Sequence, residues 1–403
     1  MKRMKKIDGG ITAAKGYRAA GIHAGIKGPK ADMALIVSDA PAAAAGVFTS
    51  NKIKGAVVKL CMERIIGGVA QAIIVNSGNA NACTGEQGMK DAVRMGQLVA
   101  DLLHIQEDKV FVSSTGTIGV PMPMGKIERG INLAVEALSE TGGDAAAKAI
   151  MTTDTKDKQV AFEREIGGVT VRIGGMAKGA GMIEPNMATM LSFITTDAAV
   201  KQTALQSCLS AAVEQSFNKI SVDGDQSCND TVLILANGMA GNKPLDESHP
   251  DWPLFVDMVN EITLTLARKI VEDGEGATKF VMVSVVGAAS PKDARKAVRS
   301  VANSLLVKTS WFGEDPNWGR VIDAVGYSGA EVVENQVDIM YDDVSAVKNG
   351  QVAAATALSE LENVLKKRSF SITINLNIGK YSDWIYTCDC SKEYVQINSE
   401  YMT

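Results

Sequence analysis

The chain has 403 residues, 46% of them hydrophobic and 22% charged, with a net charge of −5 from 41 basic and 46 acidic side chains. At about 150 residues per domain this is room for two or three domains with an ample core, and a slight acidic excess with no basic run beyond Met1–Lys6 excludes a nucleic-acid scaffold. The opening MKRMKKIDGG has no apolar stretch behind it, and no 18-residue apolar run follows anywhere, so a cytoplasmic protein without a membrane span is expected.

Taken in chain order, strand-like apolar runs fall at Met33–Val37, Ala72–Val75, Val110–Val112, Val169–Ile173, Met190–Thr195, Thr231–Leu235, Phe280–Val286 and Ser371–Leu376. Helical periodicity marks Asp91–Leu103, where Ala92, Met95, Val99, Leu102 and Leu103 share a stripe, and Gln202–Phe217, where Leu205, Cys208, Leu209, Ala212 and Val213 do. Further helices are expected over Trp252–Val271, Lys292–Val307 and Gln351–Lys366. Strands and helices are intermixed without a steady β-α-β beat. The alternation in Ser371–Leu376 suits a sheet packed on one face, which points to a layered α+β fold.

Familiar catalytic patterns are missing. The three histidines, His23, His104 and His249, lie in no HExxH and beside no cysteine at zinc-ligand spacing. His104 ends an amphipathic helix, where a cation suits the dipole. Cys388-Asp-Cys390 has no second pair, and alternate positions on a terminal strand explain it. The six scattered cysteines suggest reduced thiols. No GxSxG, GxxxxGK[ST] or GxGxxG is present. What remains is a Ser, Thr or Cys nucleophile without a histidine partner.

The densest stretch runs from Gly174 through Lys178, Gly179 and Gly181 into Glu184-Pro-Asn-Met-Ala-Thr189 and an apolar strand. A threonine hydroxyl is a poor nucleophile at neutral pH and needs a base beside it. Cutting the Ala188–Thr189 bond would free an α-amine with a pKa near about 7.7–8.0, so the base would lie on the nucleophile's own residue. Read in isolation, Ser113-Ser-Thr-Gly is a strand-ending turn, Lys178 a solvated loop lysine and Glu275 a loop charge. Asn229 and Asp230 fit either a supporting role or a simple Asx turn, and Trp318 in Gly313–Arg320 fits packing.

The segment GGMAKGAGMIEPNMATML resembles the cleavage site of the ornithine/glutamate N-acetyltransferase family. Asn76–Gly85, Ser113–Gly119, Met151–Thr155, Asp223–Thr231, Asp273–Phe280, Gly313–Arg320 and the tail Tyr394–Thr403 resemble that family in the same order, over nearly the whole chain. The resemblance implies a layered sandwich of mixed sheets and helices, akin to N-terminal-nucleophile hydrolases. It implies self-cleavage into residues 1–188 and 189–403, assembled as an α2β2 heterotetramer. It assigns Thr189 as nucleophile, Thr115 and Gly116 as oxyanion hole, and Thr152, Lys178, Thr189, Glu275, Asn398 and Thr403 as substrate contacts; Thr153 is the alternative to Thr152. The implied reaction carries acetyl from N-acetylornithine to glutamate by a ping-pong path with no metal or cofactor, and leaves acetyl-CoA open as a co-substrate. Gln226 and Cys228 stand where Thr or Ser is expected, and Met402 where Thr is. A related aminopeptidase or amidase, with water as acceptor, and an uncleaved binding protein of the same fold are the alternatives.

Overall fold

The computed structural model describes residues 3–184, 190–353 and 358–400. Among these, nine strands form one sheet: β1 (Lys5–Ile7), β2 (Tyr17–Ile22), β3 (Met33–Phe48), β4 (Val69–Asn79), β5 (Val110–Thr117), β6 (Lys158–Ile166), β7 (Val169–Lys178), β8 (Leu191–Thr196) and β9 (Thr231–Ala236). Their spatial order is β1-β6-β7-β8-β9-β3-β4-β5, with β2 pairing the first half of β3. Most neighbours are antiparallel; β4–β5 and β8–β9 are parallel. Six more strands, β10 (Phe280–Ala288), β11 (Asp338–Tyr341), β12 (Val344–Lys348), β13 (Gln351–Val352), β14 (Ser369–Asn375) and β15 (Tyr381–Cys388), make a second sheet in the order β13-β12-β11-β14-β10-β15.

The helices are α1 (Ala56–Arg64), α2 (Gly85–Leu103), α3 (Met124–Glu136), α4 (Gly143–Ala149), α5 (Gln202–Glu214), α6 (Trp252–Glu272), α7 (Pro291–Asn303), α8 (Leu305–Phe312), α9 (Trp318–Gly326), α10 (Leu358–Leu365) and α11 (Lys392–Glu400). The two-residue period of the strands divides the first sheet's side chains between two cores. Phe193, Leu233 and Leu235 join the core under α1 to α4, whereas Ile194, Val232 and Ile234 join that of α5 and α6. A third core packs the second sheet against α7 to α10. The fold is therefore a layered α+β one, as expected. No described helix is long and apolar enough to cross a membrane.

Two expected helices are corrected. Lys292–Val307 is broken at Ser304, whose hydroxyl accepts the Val307 amide and caps the new helix α8. Gln351–Lys366 begins as strand β13, because Asn349-Gly350, both at positive φ (51° and 72°), turns β12 back on itself; only Leu358–Leu365 is helical. His104 sits past the end of α2 at φ 56°, a left-handed cap.

One buried charge cluster joins the layers. Lys158, at the start of β6, reaches Asp154 at 2.6 Å and Asp273, just past α6, at 2.5 Å, with 1% of its side chain exposed. Asp273 also accepts the amides of Thr155 and Lys156. Burial pushes the Asp154 carboxyl up, but Lys158, Lys178 and the Gly179 amide outweigh it and hold it at about 2. Lys158→Met would leave two carboxylates buried without their cation. It is expected to cost about 3–5 kcal/mol, read by urea unfolding. Because the folded-state pKa of Asp154 is depressed, its contribution is fully present above its ordinary 3.8 and is lost as pH falls towards 2.

Candidate active site

The carboxyl ends of β4, β5 and β7 meet the amino ends of β8 and β9. In register, Ser77 faces Thr115, Gly78 faces Gly116, Lys178 faces Leu191, and Leu191 faces Thr231. A cavity of about 320 Å³ opens there. Thr115, Gly116, Thr152, Lys178, Glu275 and Asn398 all line it, and so does Thr153. Residues as far apart in the sequence as Thr115 and Asn398 are thus brought to one cavity. Ala188, Thr189 and Thr403 lie outside the described residues.

Gly116 has φ 128°, and a Cβ there would come within 2.4 Å of the Gly78 carbonyl carbon. Only glycine fits where β5 lies this close against β4. Lys178 is not the solvated loop lysine that its local sequence suggests. It is the last residue of β7, 3% exposed. Burial pushes its ammonium below the usual lysine range, opposed chiefly by Asp154. Its Nζ donates to Thr115 Oγ1 at 3.3 Å. Since an ammonium only donates, that hydroxyl is held as acceptor and keeps its own proton for another partner in the cavity. Gly116 lines the cavity beside it.

Asp154, which sequence reasoning did not single out, aligns this wall: Oδ2 accepts the Thr152 amide at 2.9 Å and Oδ1 the Gly179 amide at 2.8 Å. Glu275, also on the lining, is buried, again not a loop charge in solvent, and accepts from Asn398 Nδ2 at 2.7 Å. Gly181 makes room for it, because a Cβ there would stand 2.4 Å from the Glu275 carboxylate. Asp223, also missed, accepts the amides of Met182 (2.6 Å) and Ile183 (2.8 Å) and the Tyr394 hydroxyl of α11 (3.2 Å). Burial pushes Asp223 up to about 6 despite those amides. The lining carries Lys178 against Asp223, Asp225 and Glu275, an acidic balance. No pattern in the sequence marks Asp154 or Asp223 except their place inside the motifs Met-Thr-Thr-Asp-Thr and Asp-Gly-Asp.

Asn229 and Asp230 support the site rather than forming an isolated turn. Asn229 Nδ2 donates to Ala80 O (2.5 Å) and Ser114 O (2.8 Å), tying the ends of β4 and β5 to the loop before β9. Asp230 Oδ1 accepts the Met190 amide at 2.6 Å, one residue past Thr189, and burial pushes this carboxyl up to about 8.

Residues 18–403 match the model of the ArgJ family. The "Arginine biosynthesis bifunctional protein ArgJ" of Geobacter sulfurreducens is 50% identical over 96% of this chain and 99% of its own length. That of Symbiobacterium thermophilum is 49% identical over 99% of this chain and its full length. A solved structure, ornithine acetyltransferase from Mycobacterium tuberculosis complexed with ornithine, is 42% identical and covers 46% of this chain and 99% of its own, with a TM-score of 0.43. The protein is an acyltransferase on a layered α+β scaffold. It belongs to the ArgJ family.

The Lys178–Thr115 contact predicts that Lys178→Met lowers kcat for acyl transfer by about 10²–10³. The wild-type rate should fall with rising pH below the 10.5 of an ordinary lysine, because the ammonium's pKa is lowered and its charge is lost sooner. In Lys178→Met that alkaline limb should vanish from the residual activity, measured as a pH–rate profile.

Proposed function

We propose that the chain makes N-acetylglutamate by moving an acetyl group from N-acetylornithine to glutamate through an ester on Thr189. The observation that carries this is the gathering of Thr115, Gly116, Thr152, Lys178, Glu275 and Asn398 around one cavity. Thr189 immediately precedes Met190, whose amide is held by Asp230 beside that cavity. The relatives' name, arginine biosynthesis bifunctional protein, points to the same pathway.

The precursor first cuts itself: Thr189 Oγ attacks the Ala188 carbonyl, the amide becomes an ester, and water opens it. The fragments 1–188 and 189–403 stay together, since β8 and β9 of the second lie between β7 and β3 of the first within one sheet. The freed α-amine of Thr189 then takes the hydroxyl proton as Oγ attacks the acetyl carbonyl. Negative charge on the acetyl oxygen falls to the Thr115 hydroxyl and Gly116 N–H. The proton passes to the departing α-nitrogen of ornithine. Glutamate enters, its amine attacks the ester, and the same steps run in reverse. Such preorganised donors are worth about 10²–10³ each.

The acidic lining suits the free side-chain ammonium of ornithine at Glu275, while Lys178 suits a carboxylate. Thr152 or Thr153, Asn398 and Thr403 complete the substrate contacts. The reaction needs no metal or cofactor, acetyl-CoA is a second acetyl donor in a bifunctional enzyme, and two copies of each fragment assemble as α2β2 in the cytoplasm. Denaturing electrophoresis with mass measurement should find residues 1–188 and 189–403 as separate chains. Thr189→Ala should remain one 403-residue chain and lose transfer. An intact wild-type chain that still transfers acetyl would contradict the proposal.

A further inference from the structure

Beside the Thr115–Gly116 pair lies a small apolar patch that belongs to none of the three cores. Ala80, Ala82 and Cys228 are buried together, with Ile118 packed against them. Ala80, Ile118 and Cys228 face the cavity directly. Apart from Met182, the rest of the lining side chains are hydroxyls, amides or charges, so this patch is a local apolar exception.

It is also built rigidly. Beyond the sheet, β4 and β5 run on side by side: the Ala80 amide donates to Thr117 O at 3.0 Å and the Gly119 amide to Ala82 O at 2.9 Å. This carries Ala80 and Ile118 past the oxyanion pair on paired backbone. The loop before β9 brings Cys228 opposite, fixed by Asn229 to Ala80 O and by the Gly55 amide to Cys228 O at 3.1 Å. Burial pushes the Cys228 thiol up, so it stands there as a small neutral side chain.

The chemistry of acyl transfer determines what such a patch meets. An acyl carbon bears its oxygen, its leaving or attacking group and one alkyl substituent. With the oxygen on Thr115 and Gly116, the alkyl substituent lies one bond from the carbonyl carbon and must point to whatever flanks that pair. We propose that the niche of Ala80, Ile118 and Cys228 receives the alkyl end of the acyl group and restricts the donor to acetyl over longer acyl chains. This rests on the transfer reading given above and specifies the substrate class of the same site.

The test uses N-acetyl-, N-propionyl- and N-butyrylornithine as donors, with glutamate as acceptor. The readout is the ratio of kcat/KM for propionyl over acetyl, which a residue that only supports the fold would leave unchanged. Ile118→Ala is expected to raise the ratio about tenfold or more, since one methylene in an apolar pocket is worth at least about that factor. Cys228→Ala, a smaller enlargement, should raise it several-fold and serves alone if Ile118→Ala does not fold. Either variant folding with a wild-type melting profile while the ratio stays within twofold would overturn the niche. A wild-type protein inert to all three donors would overturn the transfer reading and the niche with it. A wild type active on acetyl, with an unmoved ratio in the variants, would overturn the niche alone.

Discussion

The ammonium of Lys178 lies at the end of β7 with almost no access to water, and burying a cation there demands compensation from several directions at once. Asp154 is the charge that most offsets this burial, and Asp154 is itself tied to Lys158, which also pairs with Asp273 at the end of α6. The same Asp154 carboxylate accepts the amides of Thr152 and Gly179. A single electrostatic requirement therefore sets the positions of the two segments that flank the cavity. The Thr115 hydroxyl completes the arrangement by accepting from Lys178, which leaves its proton directed elsewhere. Under the transfer proposed above, that proton is in place to meet charge on the acyl oxygen before the reaction begins.

The sheet explains how the cut proposed above at Ala188–Thr189 would leave one structure. β7 ends at Lys178 and β8 begins at Leu191, and they pair antiparallel over Ile173–Lys178. β8 and β9 are covered on one face by side chains of the first core and on the other by those of the second. Separating the two fragments would strip both cores of Phe193, Ile194, Val232 and Leu233, each fully buried. Large apolar burial of this kind outweighs the loss of one covalent link. The chain flanking residues 185–189 is held by Asp223 on Met182 and Ile183, by Arg299 and Asn303 on Glu184, and by Asp230 on Met190.

Much of this was legible in the sequence, and the remainder was hidden for physical reasons. Apolar runs located the central strands, since burial on both faces writes continuous Val, Ile and Leu stretches such as Thr231–Leu235. The ordered motifs picked out Thr115, Gly116, Thr152, Lys178, Glu275 and Asn398, which the fold gathers around one cavity, whereas each read alone was bland. Lys178 and Glu275 looked like loop charges because nothing local reveals that Asp154 and Asn398 will lie beside them. Asp154 and Lys158 are four apart, yet no helix joins them, so their pairing follows only from the fold. The break at Ser304 lies inside a helical pattern that runs through it, and its capping role is visible only once Val307 is seen to donate. The Asn349-Gly350 turn, by contrast, carried a readable signal that the helical pattern around it obscured.

The account turns on whether residue 189 carries the acetyl group between the two amino acids. Mixing the purified protein with N-acetylornithine in the absence of glutamate, quenching in acid and weighing the fragments would test this directly. The account predicts one added acetyl group on the fragment that begins at Thr189, located by peptide mapping to that residue and discharged when glutamate is supplied. Turnover without any acetylated fragment, or acetylation at another residue that glutamate discharges equally fast, would contradict it.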